Sequence, residues 1–267
     1  MRLQGVVFDW AGTIVDHGSR APVAALQAVF AGAGVEVTVA EVRLSMGIAK
    51  KDHIRCILEL PRVKREWADR HGTAPNEADV EALYTEFIPK QTECLGRFSK
   101  GIAGVAEAFD GLRSRGIKIG STTGYTRPML EFLVDRAREQ GFEPDCAICP
   151  GDVPGGGRPA PYMCYLNAIR LEVAPLWAAA KVGDTPADVE EGLNAGMWTI
   201  AVTHTGNEVG LTEEEWNFAG DAKRREVMAQ ARKRLLDAGA HYLVESAGEC
   251  LDVIDEIAGR VSLGERP

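Results

Sequence analysis

Short apolar segments that alternate with amphipathic helical stretches are the feature that most constrains how this 267-residue chain can fold. Six segments have the length and the apolar, partly β-branched composition of buried strands. They are residues 4–8, 118–122, 146–149, 180–182, 198–202 and 241–244, and the helical stretches are residues 104–115, 128–140, 161–171, 186–195, 222–238 and 248–260. This alternation is typical of a parallel sheet with helices on its faces, so we predict a doubly wound α/β core.

One long stretch between the first and second strands breaks the alternation. Residues 19–98 show helical periodicity only, punctuated by Pro61, by residues 72–75 and by Pro89. An uninterrupted helical stretch inside an α/β pattern indicates an inserted domain. We predict an α/β core domain of residues 1–18 and 99–267, with an all-helical cap domain of residues 19–98.

Charge and hydropathy exclude several classes of partner. The net charge is −9, so the chain has no bulk positive field to attract nucleic acid or an anionic membrane. No apolar run approaches the roughly 18 residues that a membrane span requires. The first strand begins at residue 4 and leaves no room for a signal peptide, so we expect a cytoplasmic protein.

The six cysteines are scattered and are expected to be reduced. Cys146 and Cys149 form a C-x-x-C pair, which could be a redox pair or half of a zinc site. No second Cys/His pair lies nearby to complete a tetrahedral zinc set, and a structural role is the favoured interpretation.

Residues suited to phosphoryl chemistry follow four of the predicted strands. Asp9 follows the first strand, a hydroxyl-rich turn of residues 121–126 follows the second, Arg158 follows the third, and Asp184 and Asp188 follow the fourth. In doubly wound sheets, ligands bind beyond the carboxyl ends of the strands. We therefore expect these loops to form one site.

The carboxylates predict a nucleophile and a Mg²⁺ site. Attack by the Asp9 carboxylate on a phosphoryl group is opposed by charge, and Mg²⁺ held by Asp9 and Asp184, with Asp188 in support, would offset that repulsion. The Ala11 carbonyl is a further candidate ligand. A single aspartate at the end of a strand is often only a helix cap. These residues indicate a phosphoryl-transfer site because they occur together, in this order, after successive strands.

Two further residues are expected to bind the phosphoryl group. Arg158 would neutralise its charge, and Thr123 would orient it. An isolated arginine in such a loop is more often a surface charge, and Tyr125, next to the phosphate-binding turn, could equally be a packing residue.

Residues 6–13 read VVFDWAGT, a run that resembles the first signature of the haloacid dehalogenase superfamily. In that superfamily's phosphatases and mutases, a second aspartate usually lies two positions after the nucleophile and protonates the leaving group. This chain has Ala11 there. A site without this acid needs another way to handle the leaving group.

A lysine in the predicted cap offers such a way. Residues 46–54 read MGIAKKDHI, and on a helix Lys50 and His53 share a face, whereas Lys51 points about 100° away. A lone Lys-Lys pair would ordinarily be a solvated helix start. However, a lysine Schiff base with a carbonyl substrate accepts electrons when a phosphorus–carbon bond breaks, which requires no acid at Ala11. We predict that burial and nearby cations (Lys51, His53 or Mg²⁺) lower the Lys50 pKa.

On these motifs the chain resembles the phosphonoacetaldehyde hydrolases, also called phosphonatases. The resemblance extends through the segments GSTTGYTR (120–127), DVP (152–154), KVGDT (181–185) and NAGMWT (194–199). It implies a Mg²⁺-dependent hydrolase of phosphonate catabolism that splits phosphonoacetaldehyde into acetaldehyde and phosphate. The route would use a Lys50 Schiff base and an Asp9 aspartyl-phosphate intermediate, and the enzyme would be a homodimer joined through its caps.

The resemblance also implies a set of site residues. They are Asp9, Lys50 and His53 for catalysis, Thr123, Gly124, Tyr125, Arg158 and Met46 for substrate and phosphate binding, and Asp9, Ala11, Asp184 and Asp188 for the metal. His53 could also be a packing residue, and His17, His71, His204 and His241 are interpreted as structural. Two departures concern Ser19, where some relatives have cysteine, and residues 155–157, a loop that is one residue longer.

Three alternatives remain open at this point. A phosphatase or sugar-phosphate mutase is disfavoured by Ala11, because alcohol leaving groups benefit from the missing acid. A dehalogenase that attacks carbon needs no metal, and the Gly183-Asp184-Thr185 sequence disfavours it. A catalytically inactive binding protein is disfavoured because Asp9, Asp184 and Lys50 are all present.

Overall fold

The computed structural model describes residues 2–267, and within them it contains a six-stranded, all-parallel sheet. The strands are β1 (Gly5–Phe8), β2 (Lys118–Thr122), β3 (Cys146–Ile148), β4 (Ala179–Gly183), β5 (Trp198–Val202) and β6 (Tyr242–Val244). Their order in the sheet is β3-β2-β1-β4-β5-β6. The chain therefore winds from β1 in both directions, and the carboxyl ends of β2, β1 and β4 lie side by side.

Helices on both faces bury the apolar strands. They are α6 (Val105–Ser114), α7 (Arg127–Glu139), α8 (Tyr162–Leu171), α9 (Pro186–Ala195), α10 (Glu213–Phe218), α11 (Asp221–Asp237) and α12 (Leu251–Ser262). Short 3₁₀ helices cover Pro150–Asp152, Leu176–Ala178 and Ala247–Glu249. Strands β1, β4 and β5 are buried along their whole length, as expected for a sheet covered on both faces.

Five helices and no strand occupy residues 20–98, between β1 and α6. They are α1 (Arg20–Gly32), α2 (Val39–Arg43), α3 (Lys50–Glu59), α4 (Pro61–His71) and α5 (Glu77–Phe98). Helices α1 and α5 pack along each other, and α3 packs on α5. The predicted doubly wound core with an inserted all-helical cap is confirmed, while the assignment of the two domains to residues 1–18 with 99–267 and to residues 19–98 stays a prediction.

The two connections between core and cap run beside each other. Val15 forms an antiparallel bridge with Gly101, and the Asp16 N–H donates to the Lys100 carbonyl at 3.2 Å. The buried Asp16 carboxylate accepts hydrogen bonds from the backbone of Arg20 and Ala21, at the start of α1. This pair of linkers fixes where the cap enters and leaves the core.

The predicted elements are present, with two differences. Pro89 was expected to interrupt the cap, but it lies inside α5, which continues to Phe98. Helix α5 is held along its length by packing on α1 and α3, and this tertiary contact outweighs one missing backbone hydrogen bond. The six-residue α10 was not predicted, because it is too short for a periodic pattern.

Within residues 2–267, none of the helices combines the length and the low polarity that crossing a bilayer would need.

Candidate active site

Asp9 stands at the end of β1, where the strand passes into a tight turn. Its N–H donates to the Val182 carbonyl of the neighbouring strand at 2.9 Å, so the backbone at Asp9 is still held by the sheet. Gly12 allows the turn because its φ is +82°, in the left-handed region. The Asp9 side chain is 5% exposed and lines a small pocket under the cap.

Three carboxylates meet at this end of the sheet. Asp9, Asp184 and Asp188 are buried, and one oxygen of each lies within 4.8 Å of the others. Asp184 follows β4 directly, whereas Asp188 lies in the first turn of α9. Parallel neighbouring strands thus bring together residues that are far apart in sequence.

The surroundings of Asp188 differ from those of the other two carboxylates. Its Oδ1 lies 2.6 Å from Lys181 Nζ and 3.0 Å from Arg158 Nη1, and its Oδ2 accepts from the Thr185 hydroxyl at 2.6 Å. Although burial raises the Asp188 pKa, Arg158 and Lys181 lower it more, so the net shift is downward. Asp188 is already neutralised by protein cations.

The charges of Asp9 and Asp184 are less fully compensated than that of Asp188. Burial raises the pKa of Asp9, and Arg158 at 2.6 Å offsets this only in part. The pKa of Asp184 is raised well above its usual value by burial and by the charges of Asp9 and Asp188. Two buried carboxylates with raised pKa values and hard oxygen ligands fit a divalent cation such as Mg²⁺. The three buried carboxylates together could hold such an ion.

Arg158 is the centre of the ionic network. Its guanidinium is buried and contacts Asp9, Asp188 and Glu191, the last at 2.9 Å. It also donates to the Thr122 hydroxyl at 2.9 Å and to the Gly47 carbonyl of the cap at 3.2 Å. The sequence predicted Arg158 as a phosphate-binding cation, and the structure places it against Asp9.

Lys50 enters the same pocket from the cap. It is the first residue of α3, its side chain is 5% exposed, and its Nζ lies 5.2 Å from the centre of the Tyr125 ring. Burial lowers the pKa of Lys50 to about 8, with a further contribution from Arg158 and an opposing one from Asp9. The direction agrees with the prediction, and the cation that contributes is Arg158 rather than Lys51 or His53.

Lys51 points away from the site, as the helical geometry predicts. Its Nζ contacts Glu81 and lies 3.8 Å from Glu77, on the cap surface. The two adjacent lysines therefore have opposite environments, and Lys51 provides a matched control for experiments on Lys50.

His53 lies behind Lys50 and does not line the pocket. It is fully buried, and its Nε2 lies 2.6 Å from the Val42 carbonyl, so Nε2 carries the hydrogen. Burial and the Lys50 charge lower the His53 pKa to about 3, so the ring is neutral. Its Nδ1 is buried and has no hydrogen-bond partner within residues 2–267. Both Lys50 and His53 are buried on α3, but only Lys50 lines the pocket.

The remaining predicted residues surround the pocket, which is closed to about 20 Å³, the space of a single water molecule. From the core, its wall includes Ala11, Thr123, Gly124, Tyr125 and Arg158, and from the cap Ser19, Met46, Gly47 and Lys50. The Thr123 hydroxyl accepts a hydrogen bond from the Tyr125 N–H at 3.2 Å, which shapes the turn after β2. The cap is closed over Asp9 in this structure.

Sequence analysis missed two buried charges of the site. Glu191 lies three residues after Asp188 on α9 and accepts from the Thr122 hydroxyl at 2.9 Å and from Arg158. Lys181 lies inside β4 and contacts Asp188. Helical i, i+3 spacing from Asp188 could have indicated Glu191. Lys181 lies within the resembling segment KVGDT, but as a charge inside an apolar strand it had no predicted role.

Two histidines interpreted as structural lie together at the linkers. His17 and His204 pack edge to face with ring centres 5.1 Å apart, and His204 packs on Trp216 at 4.1 Å. They line a separate cavity of about 530 Å³ beside the core–cap connections. His241 accepts a hydrogen bond from the Thr199 N–H, in agreement with a structural role.

Comparison with known proteins agrees with this fold. Residues 3–196 match the family of haloacid dehalogenase-like hydrolases. The fold and the strand-end carboxylates therefore define the chain as a hydrolase of this class.

Relatives that match over almost the full length of the chain identify its family within this class. The chain is 46% identical over 265 residues to a phosphonoacetaldehyde hydrolase of Syntrophobacter fumaroxidans, covering 99% of this chain and 95% of the relative. It is 46% identical over 257 residues to one of Bacillus cytotoxicus, covering 96% and 97%. A crystal structure of a phosphonoacetaldehyde hydrolase-like protein from Oleispira antarctica superposes with a TM-score of 0.97 at 40% identity, covering 100% of this chain and 96% of the other. The chain belongs to the phosphonoacetaldehyde hydrolase family.

Proposed function

We propose that the protein hydrolyses the carbon–phosphorus bond of phosphonoacetaldehyde, giving acetaldehyde and phosphate, through a Schiff base on Lys50 and an aspartyl phosphate on Asp9. One observation carries the proposal. A buried lysine with a pKa of about 8 shares a closed pocket with the strand-end Asp9, and the position of the usual acid is occupied by Ala11. The activity named for the full-length relatives supports the same substrate.

In the first step, the neutral Lys50 amine adds to the aldehyde carbon of the substrate, and water leaves as the iminium forms. Burial supports this step, because it increases the fraction of neutral amine at pH 7. The phosphonate group would replace Asp9 as a partner of Arg158 and bind at the Thr123–Gly124 turn, where backbone N–H groups and the start of α7 favour an anion.

In the second step, an Asp9 oxygen forms a bond to phosphorus while the carbon–phosphorus bond breaks. The electron pair of that bond moves into the iminium and gives a neutral enamine, so no acid is needed at Ala11. Protonation of the enamine carbon and addition of water release acetaldehyde and regenerate Lys50. A second water attacks the aspartyl phosphate, which releases phosphate and restores Asp9.

Mg²⁺ bound by Asp9 and Asp184, with the Ala11 carbonyl as a further ligand, would offset the repulsion between the Asp9 carboxylate and the anionic phosphonate. The raised pKa values of Asp9 and Asp184 support this assignment, since both carboxylates would gain from a cation. Asp188 supports the site from behind by holding Arg158.

The neighbours of Lys50 would set its position and its proton. Tyr125 and Met46 line the same pocket as the amine and would limit the access of water to it. His53, whose ring is neutral, would position Lys50 from within the cap without adding a positive charge beside the amine. Its tautomer is fixed by the hydrogen bond to the Val42 carbonyl.

We further propose that the protein acts in the cytoplasm as a homodimer joined through its caps, as the family resemblance implies. Its six cysteines, none of which is paired in the described part of the chain, are in keeping with a reducing compartment.

Borohydride reduction in the presence of phosphonoacetaldehyde tests the proposal. Reduction converts the iminium into a stable secondary amine, and peptide mass spectrometry locates it. We expect modification of Lys50 and loss of activity, with none in Lys50→Arg and unchanged trapping in the control Lys51→Arg. Modification of Lys51, or carbon–phosphorus cleavage by Lys50→Arg, would overturn the Schiff-base route.

A further inference from the structure

Arg43, at the end of α2, joins the cap to the core through neutral oxygen atoms. Its Nη1 donates to the Asn207 side chain at 2.7 Å and to the Asn207 carbonyl at 3.1 Å. Its Nη2 donates to the carbonyls of Gly18 at 2.8 Å and Gly210 at 3.0 Å. A planar guanidinium is suited to bind several acceptors in a fixed geometry. One cap side chain thus connects α2, the first linker and the loop after β5.

The loop after β5 in turn holds Asp184. The Asn207 N–H donates to Asp184 Oδ2 at 2.7 Å, and the Thr13 hydroxyl donates to Oδ1 at 3.1 Å. Each oxygen of Asp184 is therefore oriented by one donor. The donor for Oδ2 belongs to the residue that Arg43 binds.

This loop packs against Asp184 with no spare room. A Cβ on Gly206 would lie 2.6 Å from the Asp184 Cβ. The Thr205 hydroxyl donates to the Gly12 carbonyl at 2.9 Å, which ties the loop to the turn that follows Asp9. A displacement of the loop would therefore change the position of Asp184 or remove its hydrogen bond.

We propose that Arg43 is a positioning residue that couples closure of the cap to metal binding at Asp184. Closure inserts the guanidinium between Gly18, Asn207 and Gly210, which fixes the Asn207 N–H and, through it, the Asp184 carboxylate. This inference rests on the proposed metal site. It adds that the cap contributes to metal affinity, although none of the proposed metal ligands lies in the cap.

Coupling of this kind acts in both directions. If a closed cap strengthens metal binding, bound metal must favour the closed cap by the same free energy. The cap that carries Lys50 would then close most firmly over a core that already holds its cation. Loss of outer partners of metal ligands typically weakens metal affinity about 10–100-fold, which sets the size of the expected effect.

The test is calorimetric titration of the full-length protein with Mg²⁺ alone. We expect Arg43→Met to raise the dissociation constant about 10-fold, at the lower end of the usual range. Arg43→Lys should recover only part of the affinity, because an ammonium group cannot bind all four acceptors in one plane. Arg55→Ala is the matched control, because Arg55 is a cap arginine whose partners Asp52 and Glu77 also lie in the cap, and it should bind as wild type.

A second measurement tells whether Arg43 positions Asp184 or only holds the cap against the core. By small-angle X-ray scattering, Mg²⁺ should make the wild type more compact and leave Arg43→Met unchanged. A variant with an open cap but wild-type Mg²⁺ affinity would overturn the proposal, as would full recovery of affinity by Arg43→Lys, which would indicate a pure charge effect.

Asn207→Ala keeps the test valid if Arg43→Met does not fold. It retains the backbone N–H to Asp184 but removes one acceptor of Arg43, so it should weaken Mg²⁺ binding less than Arg43→Met does. Unchanged affinity in a folded Asn207→Ala would count against the coupling. Because no phosphonoacetaldehyde is present, a failure of the proposed activity would leave these results interpretable, whereas a wild type that binds no Mg²⁺ would refute the inference.

Discussion

Replacing Lys50 with methionine should abolish turnover and stabilise the fold at neutral pH. The Lys50 ammonium is buried, and its pKa falls from 10.5 in the unfolded chain to about 8. One pKa unit corresponds to about 1.36 kcal/mol of free energy. The charged lysine therefore costs the fold about 3 kcal/mol below pH 8, and an apolar side chain of similar length avoids that cost.

The stability that Lys50→Met gains over the wild type should decrease as the pH rises above about 8. Folded Lys50 loses its proton near pH 8, whereas the unfolded chain loses it near pH 10.5. Between these values the unfolded state binds more protons, so the free energy of unfolding of the wild type rises with pH relative to Lys50→Met. The advantage of the variant is full below about pH 8 and falls to nothing as pH 10.5 is approached.

Urea unfolding followed by circular dichroism, at pH 7 and again at pH 9.5, measures this difference. Lys51→Met is the control, because Lys51 is exposed and paired with Glu81, and it should bring no stabilisation. If Lys50→Met is no more stable than the wild type at pH 7, or if its gain is the same at both pH values, the assignment of Lys50 as a buried, weakly basic amine is wrong.

Two further substitutions test cap closure and the missing acid. Gly47→Ala should lower kcat at least 10-fold while the core stays folded. Gly47 has a φ of +93°, and a methyl group there would overlap the Thr185 hydroxyl across the closed interface. Steady-state kinetics and a thermal melt measure these effects, and a wild-type kcat would contradict the prediction. Ala11→Asp should abolish carbon–phosphorus cleavage, because a second carboxylate would enter the closed pocket beside Asp9 and pair with Lys50. Borohydride trapping on Lys50 should then fail as well. Retained trapping would show that Ala11 is not needed to leave the lysine free.

Periodicity predicted the fold because local pattern and tertiary structure agree along most of this chain. The six strands lie within two residues of their predicted bounds, since apolar runs in a doubly covered sheet must match the strands. Pro89 shows where a local pattern fails to predict the structure. A proline normally ends a helix, and only the packing of α5 on its neighbours explains why this one does not.

The candidate site could be predicted where residues end strands, because strand ends converge by topology. Asp9 and Asp184 follow this rule directly, and Arg158 lies in the loop that follows β3. Lys181 lies inside a strand and Glu191 inside a helix. Spacing from Asp188 could indicate that Glu191 shares its helix face, but the ion pairs that both residues form depend on which cations and carboxylates meet in the folded core.

The contact between Arg158 and Asp9 has a consequence for what the closed pocket rejects. In this structure the Asp9 carboxylate is the counterion of Arg158, at 2.6 Å. Under the proposed mechanism, a simple aldehyde would condense with Lys50 but would offer no anion to Arg158, so Asp9 would stay paired and the condensation would reverse. A molecule with both an aldehyde and a phosphonate group would displace the Asp9 carboxylate and free it to react. The ion pair would thus make the reactivity of Asp9 depend on the phosphonate group of the substrate itself.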